Sequence, residues 1–167
     1  MNPLDGLNQE MMRESESLHR LFEVLPEDKL DWKPHEKSMT LGELCHHLAT
    51  IPKQVSDMAR LDEFEFPKEK CWPTASSRAE LLQLLNESLE HASKNLGEIK
   101  AESLGDTWSA VAEGKVIVQF PRGAVLRIIM LNHWYHHRGQ LTVYLRMLDT
   151  PLPSVYGPSA DDNPFAK

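Results

Sequence analysis

Apolar residues recur at helical spacing in four separate stretches of the chain, at about residues 4–25, 40–58, 77–99 and 121–148. Within each stretch they repeat in alternating steps of three and four positions, which places them on one face of a helix. Thr40 and Glu43 have the spacing of a capping box, and Pro52 predicts a local kink in the second helix. The pattern predicts an all-α fold in which the helices form a four-helix bundle.

The connections between these stretches carry patterns of their own. Residues 61–75 contain Phe64, Phe66, Cys71 and Trp72 and are too many for a tight turn, so they predict a long crossover between helices two and three. In residues 105–120, apolar positions alternate around a Glu-Gly-Lys sequence, which predicts a short hairpin or an extended loop before helix four. After residue 148 no further element is predicted, but Tyr156 is expected to fold back over the end of the bundle.

Composition and charge limit the class of protein. The 167 residues suit a single domain spanning residues 1–167, and the net charge of −7 argues against a nucleic-acid binder, which needs a basic surface. The chain has no apolar run long enough to span a membrane and no N-terminal signal pattern. Two cysteines, Cys45 and Cys71, make no disulfide framework and fit a reducing compartment. We therefore expect a cytoplasmic protein that binds neither nucleic acid nor membrane.

Helix four carries the most distinctive chemistry, because His133 and His137 lie four residues apart and therefore on one face. A helical wheel places both in the middle of the apolar stripe, whereas His136 points to one side. Two imidazoles at this spacing can bind one metal ion inside a helix bundle. The alternative is that both are core histidines whose ring nitrogens are satisfied by hydrogen bonds. Gln140 lies on the same stripe and is the nearest candidate to orient a histidine ring.

A third metal ligand is predicted on helix two. His47 lies on the shoulder of the apolar stripe, from which its side chain can reach inwards, whereas His46 is expected to point into solvent. Cys45, on the opposite shoulder, is a rival ligand or a small buried residue, and we rank it behind His47. Glu14 occupies an apolar position of helix one, so it lies at a solvated end, in a salt bridge or near a bound ion. Glu14 and Gln140 are the candidates to support the site, and no catalytic residue is assigned.

A ferritin-like di-iron site is rejected for this bundle. Such a site needs Glu-x-x-His on two helices and inward glutamates on the other two. The chain has this motif at Glu16 and at Glu43, but these side chains lie off the helical seams, and helix three has no carboxylate in register. What remains is a set of three imidazoles with coordination positions left open for water or substrate, the arrangement of a catalytic metal site: His47, His133 and His137.

Two motifs resemble the DinB family of proteins. One is Thr-Leu-Gly-Glu-Leu at residues 40–44 leading to His47, and the other is His-x-x-x-His-Arg-Gly-Gln at residues 133–140. The resemblance covers nearly the whole chain and implies an up-down-down-up bundle with a long crossover between helices two and three, commonly as a homodimer. It also implies a divalent metal ion, zinc or nickel, on three histidines that correspond to His47, His133 and His137. The helical wheels select the same three residues.

The resemblance also implies a class of reaction. Characterised relatives include thiol-dependent transferases and isomerases, so we expect a metal ion that activates a low-molecular-weight thiol, or water, for attack on a small electrophilic substrate. The expected partner is a small molecule, and three arginines are candidates to line its pocket: Arg122, Arg127 and Arg138. The alternative to a transferase or hydrolase is a non-catalytic metal-binding sensor or stress-response module, in which the histidine site is vestigial or structural.

Overall fold

Four helices dominate the computed structural model, which describes residues 2–68 and 73–166. None of the helices in these two ranges is long and apolar enough to cross a membrane. Cys71 and Trp72, which the sequence analysis assigned to the crossover, lie outside the described residues. The helices are α1 (Pro3–Glu23), α2 (Leu41–Ala59), α3 (Arg78–Glu98) and α4 (residues 122–147).

The first turns of α2 and α3 are capped by side chains. The predicted capping box of α2 is confirmed, because Glu43 N donates to Thr40 Oγ1 at 3.1 Å and Thr40 N donates to Glu43 Oε2 at 2.7 Å. At the start of α3, Glu80 N donates to Ser77 Oγ at 3.1 Å. These bonds satisfy amide groups that have no partner within the helix, and they fix where each helix begins.

Hydrogen bonds between α2 and α3 show that these helices are parallel. Lys53 N donates to Ser88 Oγ at 2.9 Å near the middle of both helices, and Arg60 Nη1 donates to Asn95 Oδ1 at 2.9 Å near their C-terminal ends. Parallel neighbours need a connection that returns along the length of the bundle. The predicted crossover between the second and third helices is therefore confirmed.

α4 runs antiparallel to α2 and parallel to α1. The start of α4 contacts the end of α2, where Arg122 Nη1 donates to the carbonyl oxygen of Ala59 at 2.6 Å. Residue numbers instead rise together along α1 and α4, where the bonded pairs are Glu10 with Arg127 and Ser17 with Arg138. The helices therefore follow the up-down-down-up order that the family resemblance implies.

A small three-stranded sheet in the described part of the chain corrects the all-α prediction. β2 (Thr107–Ala112) and β3 (Lys115–Pro121) form the expected antiparallel hairpin, whose two-residue turn has φ of 51° at Glu113 and 71° at Gly114. β1 (Glu63–Glu65), from the crossover, pairs in parallel with β2. This pairing joins segments that are far apart in sequence, so local patterning does not report it.

α4 is divided into three parts. A single α-helical turn, Arg122–Ala124, leads into a π-helical segment, Val125–Asn132, and an α-helix, His133–Met147, follows. Each hydrogen bond of a π-helix spans five residues rather than four. Successive residues of this segment therefore rotate about the helix axis by a different angle from those of an α-helix. The directions in which His133 and the residues after it point change accordingly.

The prediction that His133 and His137 lie in the middle of the apolar stripe of α4 is wrong. Both are half-buried and lie beside the buried seam rather than within it. The π-helical segment changes which side of the following α-helix faces the core. As a result, the large indole of Trp134 occupies the core position. The seam itself consists of Trp134, Arg138, Leu141 and Leu145.

Pro52 creates the hydrogen bond that joins α2 to α4. Because proline has no amide hydrogen, the carbonyl oxygen of Leu48 loses its partner four residues along α2. Trp134 Nε1 donates to that oxygen at 2.8 Å. Leu48 directly follows His47, and Trp134 directly follows His133. The bond therefore fixes the two helices to each other at the level of these histidines.

The Trp134→Phe substitution is expected to lower the free energy of unfolding by about 2–3 kcal/mol, because the buried carbonyl of Leu48 loses its donor and a small void forms. In a Pro52→Ala background the same substitution should cost about 1 kcal/mol less, since the restored amide can bond to Leu48. Urea denaturation of the four proteins, followed by circular dichroism, measures this coupling. Equal costs in the two backgrounds would contradict the assignment of the bond to the proline.

Candidate metal centre

Three histidines converge beside the contact between α2 and α4. His47 projects from α2, and His133 and His137 project from successive turns of α4. One nitrogen from each ring can be chosen such that all three lie within 4.8 Å of one another. The centre of the His47 ring lies 5.3 Å from that of His133 and 4.8 Å from that of His137. The three side chains form a group that could hold one metal ion.

The histidines of α4 direct the same ring nitrogen towards one point. Nε2 of His133 and Nε2 of His137 lie 2.5 Å apart. On the other side of its ring, Nδ1 of His137 lies 2.6 Å from Oε1 of Gln140, and an amide oxygen accepts hydrogen bonds but does not donate them. The proton of neutral His137 is therefore on Nδ1, which leaves the lone pair of Nε2 available to a cation.

Burial keeps these histidines in the neutral form that binds metals. Burial lowers the pKa of His47 to about 4, and repulsion from the neighbouring histidines acts in the same direction. Burial and repulsion from His137 and His136 likewise lower the pKa of His133 to about 4. The pKa of His137 is also lowered by burial, although its hydrogen bond with Gln140 opposes the shift. At neutral pH the two rings with a pKa of about 4 present lone pairs rather than positive charge.

The histidines open onto an elongated cavity of about 680 Å³. Its lining on α2 recurs every three or four residues from the start of the helix to its end, and the crossover and β1 provide an apolar wall. The rings of Phe64 and Phe66 meet edge to face at 5.2 Å in this wall. The cavity is lined by Glu43, His46, His47, Thr50, Gln54, Asp57, Met58, Leu61, Phe64, Phe66, Pro67, Pro73, His133 and His137.

Three other candidates from the sequence are distinguished by their surroundings. Cys45 is fully buried in the hydrophobic core, where burial raises the pKa of its thiol, and it does not belong to the histidine group found among the described residues. His46 was predicted to face solvent, and this is wrong: it is half-buried and lines the cavity. His136 is exposed, with its ring centre 5.1 Å from that of His137.

Of the two candidates to support the site, Gln140 contacts a histidine and Glu14 contacts other residues. Glu14 Oε2 accepts hydrogen bonds from Arg138 Nη2 at 2.8 Å and from Tyr156 Oη at 2.7 Å. Glu14 therefore occupies its apolar position as a salt-bridged carboxylate, one of the alternatives that the sequence left open. Tyr156 therefore folds back onto the helices, but it contacts the middle of α1 rather than the predicted end of the bundle.

The three arginines proposed for the pocket are absent from its lining among the described residues. Arg122 donates to backbone carbonyl oxygens at the end of α2, and Arg127 pairs with Glu10 at 2.7 Å. Arg138 is buried between α1, α4 and the C-terminal segment. The expectation that they line the substrate pocket beside the histidines was wrong, although Arg138 lines a second cavity of about 390 Å³ beside the C-terminal segment.

Most of the residues that line the cavity were not predicted from the sequence. On α2 a signal was available, because residues 47, 50, 54, 57 and 61 recur in steps of three and four on the face that begins at His47. In the crossover there was no comparable signal. Phe64 and Phe66 reach the cavity because β1 pairs with β2, and that contact is tertiary.

Comparisons with known proteins agree with this fold. The family model described as "DinB family" matches residues 1–164. The protein YrdA of Bacillus subtilis (strain 168), described as uncharacterized, is 24% identical over 149 residues, which cover 89% of this chain and 85% of YrdA. A DinB-like protein from Bacillus cereus superimposes with a TM-score of 0.70 at 24% identity, covering 91% of this chain and 97% of that one. The DinB-like protein YjoA of Bacillus subtilis gives a TM-score of 0.64 at 20% identity, covering 86% and 92%.

Proposed function

Because the chain belongs to the DinB family, we propose that His47, His133 and His137 bind one divalent metal ion, zinc or nickel, in a metal-dependent enzyme. The proposed reaction is attack by a low-molecular-weight thiol, or by water, on a small electrophilic substrate. The observation that carries the proposal is the convergence of the three histidines on the wall of a cavity of about 680 Å³. A site of this kind joins metal ligands to space for a substrate.

The donor set fits the proposed ion. Imidazole nitrogens suit zinc and nickel, and three protein ligands leave positions for an exogenous group. Gln140 supports this arrangement, since its oxygen holds the Nδ1 proton of His137 and turns Nε2 towards the other rings. A divalent ion bound there would act as a Lewis acid that lowers the pKa of a thiol or of water.

The residues around the histidines supply binding and water exclusion. Apolar side chains of the crossover and of β1 face the cavity, so the apolar part of a substrate can be buried along α2. Leu61 and Phe66 are 49% and 40% exposed, and a bound molecule would cover both. The proposed electrophilic group lies towards the histidines, and the apolar remainder towards Phe64 and Phe66.

A thiol-consumption assay tests the proposal. The full-length protein is reloaded with zinc or nickel after chelator treatment and supplied with cysteine, glutathione or mercaptoethanol, with monochlorobimane as the electrophile. We expect conjugation above the uncatalysed rate, with a loss of about a hundredfold in kcat/KM after chelation, because the Lewis acid is removed. A control protein with His136→Ala should keep its rate, since His136 is exposed and lies outside the group of three.

The outcome separates the two functions considered for the fold. Stoichiometric metal without conjugation would contradict the proposed thiol transfer and favour a non-catalytic metal-binding module. Activity that survives both chelation and loss of a histidine would contradict the role of the metal.

A further inference from the structure

The cavity beside the three histidines carries acidic side chains on its walls. Glu43 lines it near the start of α2, and Asp57 lines it three turns beyond His47. None of the lining side chains within residues 2–68 and 73–166 is a lysine or an arginine. Excess negative charge in a partly enclosed space disfavours anions and favours neutral or cationic molecules.

Asp57 is held in its ionised form. Its carboxylate accepts hydrogen bonds from Lys53 at 2.8 Å and from Asn95 at 2.8 Å, and it pairs with His91 at 2.7 Å. These contacts, which outweigh the opposing effect of burial, lower the pKa of Asp57 to about 2. Lys53 offsets part of the charge but is half-exposed, so solvent weakens its effect.

In the described structure, no lysine or arginine donates a hydrogen bond to the carboxylate of Glu43, whereas Lys53 donates one to Asp57. Its Oε2 accepts from the backbone amide of Thr40 at 2.7 Å as half of the capping box. The carboxylate of Glu43 therefore borders the end of the cavity that contains the histidines.

Three basic residues that the structure describes around the other end form salt bridges with carboxylates outside the cavity lining. Arg60 pairs with Glu98 on α3 at 2.8 Å, and Lys68 lies 3.7 Å from Glu113 in the hairpin turn. Arg122 is buried against the end of α2. In the described structure no salt bridge of these three cations involves a residue of the cavity lining.

We infer that the cavity takes a neutral or cationic small molecule whose aromatic or other apolar body lies against Phe64 and Phe66, and that it discriminates against carboxylates. The inference rests on the proposed function of the histidine site and narrows it. The electrophilic substrate, and any part of a thiol co-substrate that lies inside the cavity, carries no net negative charge apart from the group at the histidines.

Binding of three matched aromatic probes tests this inference. Naphthylmethylamine, naphthylmethanol and naphthoate share one apolar body and differ in charge. Equilibrium dialysis is carried out at neutral pH with chelator-treated full-length protein, so that no metal ion can attract the carboxylate. We expect the amine to bind about tenfold more tightly than the carboxylate, with the alcohol between them.

Variants assign that preference to the cavity walls. Glu43→Gln removes a charge and keeps the capping box, which accepts glutamine at this position. Together with Asp57→Asn it should reduce the amine-to-carboxylate ratio to about threefold or less. Glu102→Gln, an identical change at an exposed position outside the lining, should leave the ratio unchanged. Phe66→Ala should weaken all three probes about fivefold, because their shared apolar body loses its contact.

The inference is overturned if naphthoate binds as tightly as the amine, or if no probe binds. It is also overturned if the amine-to-carboxylate ratio stays the same in Glu43→Gln and in the double variant with Asp57→Asn. The single Glu43→Gln variant decides the matter if Asp57→Asn fails to fold. The metal proposal is tested separately, by elemental analysis of the unsubstituted protein after it has been reloaded with zinc. A protein that binds no zinc but keeps the expected order of the probes overturns the metal proposal and supports the charge preference.

Discussion

Replacing His133 with alanine is expected to abolish stoichiometric zinc binding by this chain. The substitution removes one of the three ring nitrogens that lie within 4.8 Å of one another, and it leaves two ligands on different helices. Loss of one imidazole ligand should weaken affinity by at least about a hundredfold, since loss of a residue that merely orients a ligand already costs 10- to 100-fold. Elemental analysis and competition against a chromophoric chelator measure the change.

His136→Ala is the matched control for this experiment. It makes the same chemical change on the same helix, but His136 is exposed and lies outside the group of three. Its zinc affinity should remain within about threefold of the unsubstituted protein, because only a ring contact with His137 is lost. Equal loss of zinc in both variants would mean that the cluster is a non-specific patch of histidines. Full retention in His133→Ala would remove that residue from the ligand set.

The helices and the choice of histidines could be predicted from sequence because both follow from local periodicity. The step pattern of apolar residues gave helices close to their observed bounds, and Thr40 with Glu43 identified the start of α2. His133 and His137 share a face in any α-helix, whatever the rest of the fold does. His47 required one further assumption, that its side chain reaches inwards from the shoulder of α2, and the structure brings it to the other two.

The phase of α4 and the shape of the cavity could not be predicted in this way. A wheel assumes one rotation per residue, whereas Val125–Asn132 is π-helical, and so Trp134 rather than His133 enters the core. The apolar wall of the cavity depends on the path of the crossover and on a strand pairing between distant segments. His46 is half-buried for the same reason, since that wall adjoins a face of α2 that the wheel assigns to solvent. The single domain, the homodimer and the cytoplasmic location stay predictions.

Replacing Arg138 with methionine is expected to cause a large loss of stability, although this residue directly follows His137. Arg138 is 4% exposed, and its guanidinium donates to the carbonyl oxygen and the carboxylate of Glu14 and to Ser17 Oγ, at 2.9, 2.8 and 2.5 Å. The guanidinium carbon lies 5.2 Å from the ring centre of Tyr135 and 4.8 Å from that of Tyr156. Removing one partner of a buried ion pair costs about 3–5 kcal/mol, because the other charge is left uncompensated.

Urea denaturation separates this loss from the effect of removing any arginine. Arg146→Met breaks the pair with Asp161, which is exposed to solvent, and should change stability little because water screens the two charges. Adding Glu14→Gln to Arg138→Met should restore about 1–2 kcal/mol, since the unpaired carboxylate is removed. If Arg138→Met is no more harmful than Arg146→Met, the buried pair does not hold α1 to α4. If the folded Arg138→Met protein keeps its zinc affinity, Arg138 stabilises the fold without contributing to metal binding, which is then the role of the three histidines.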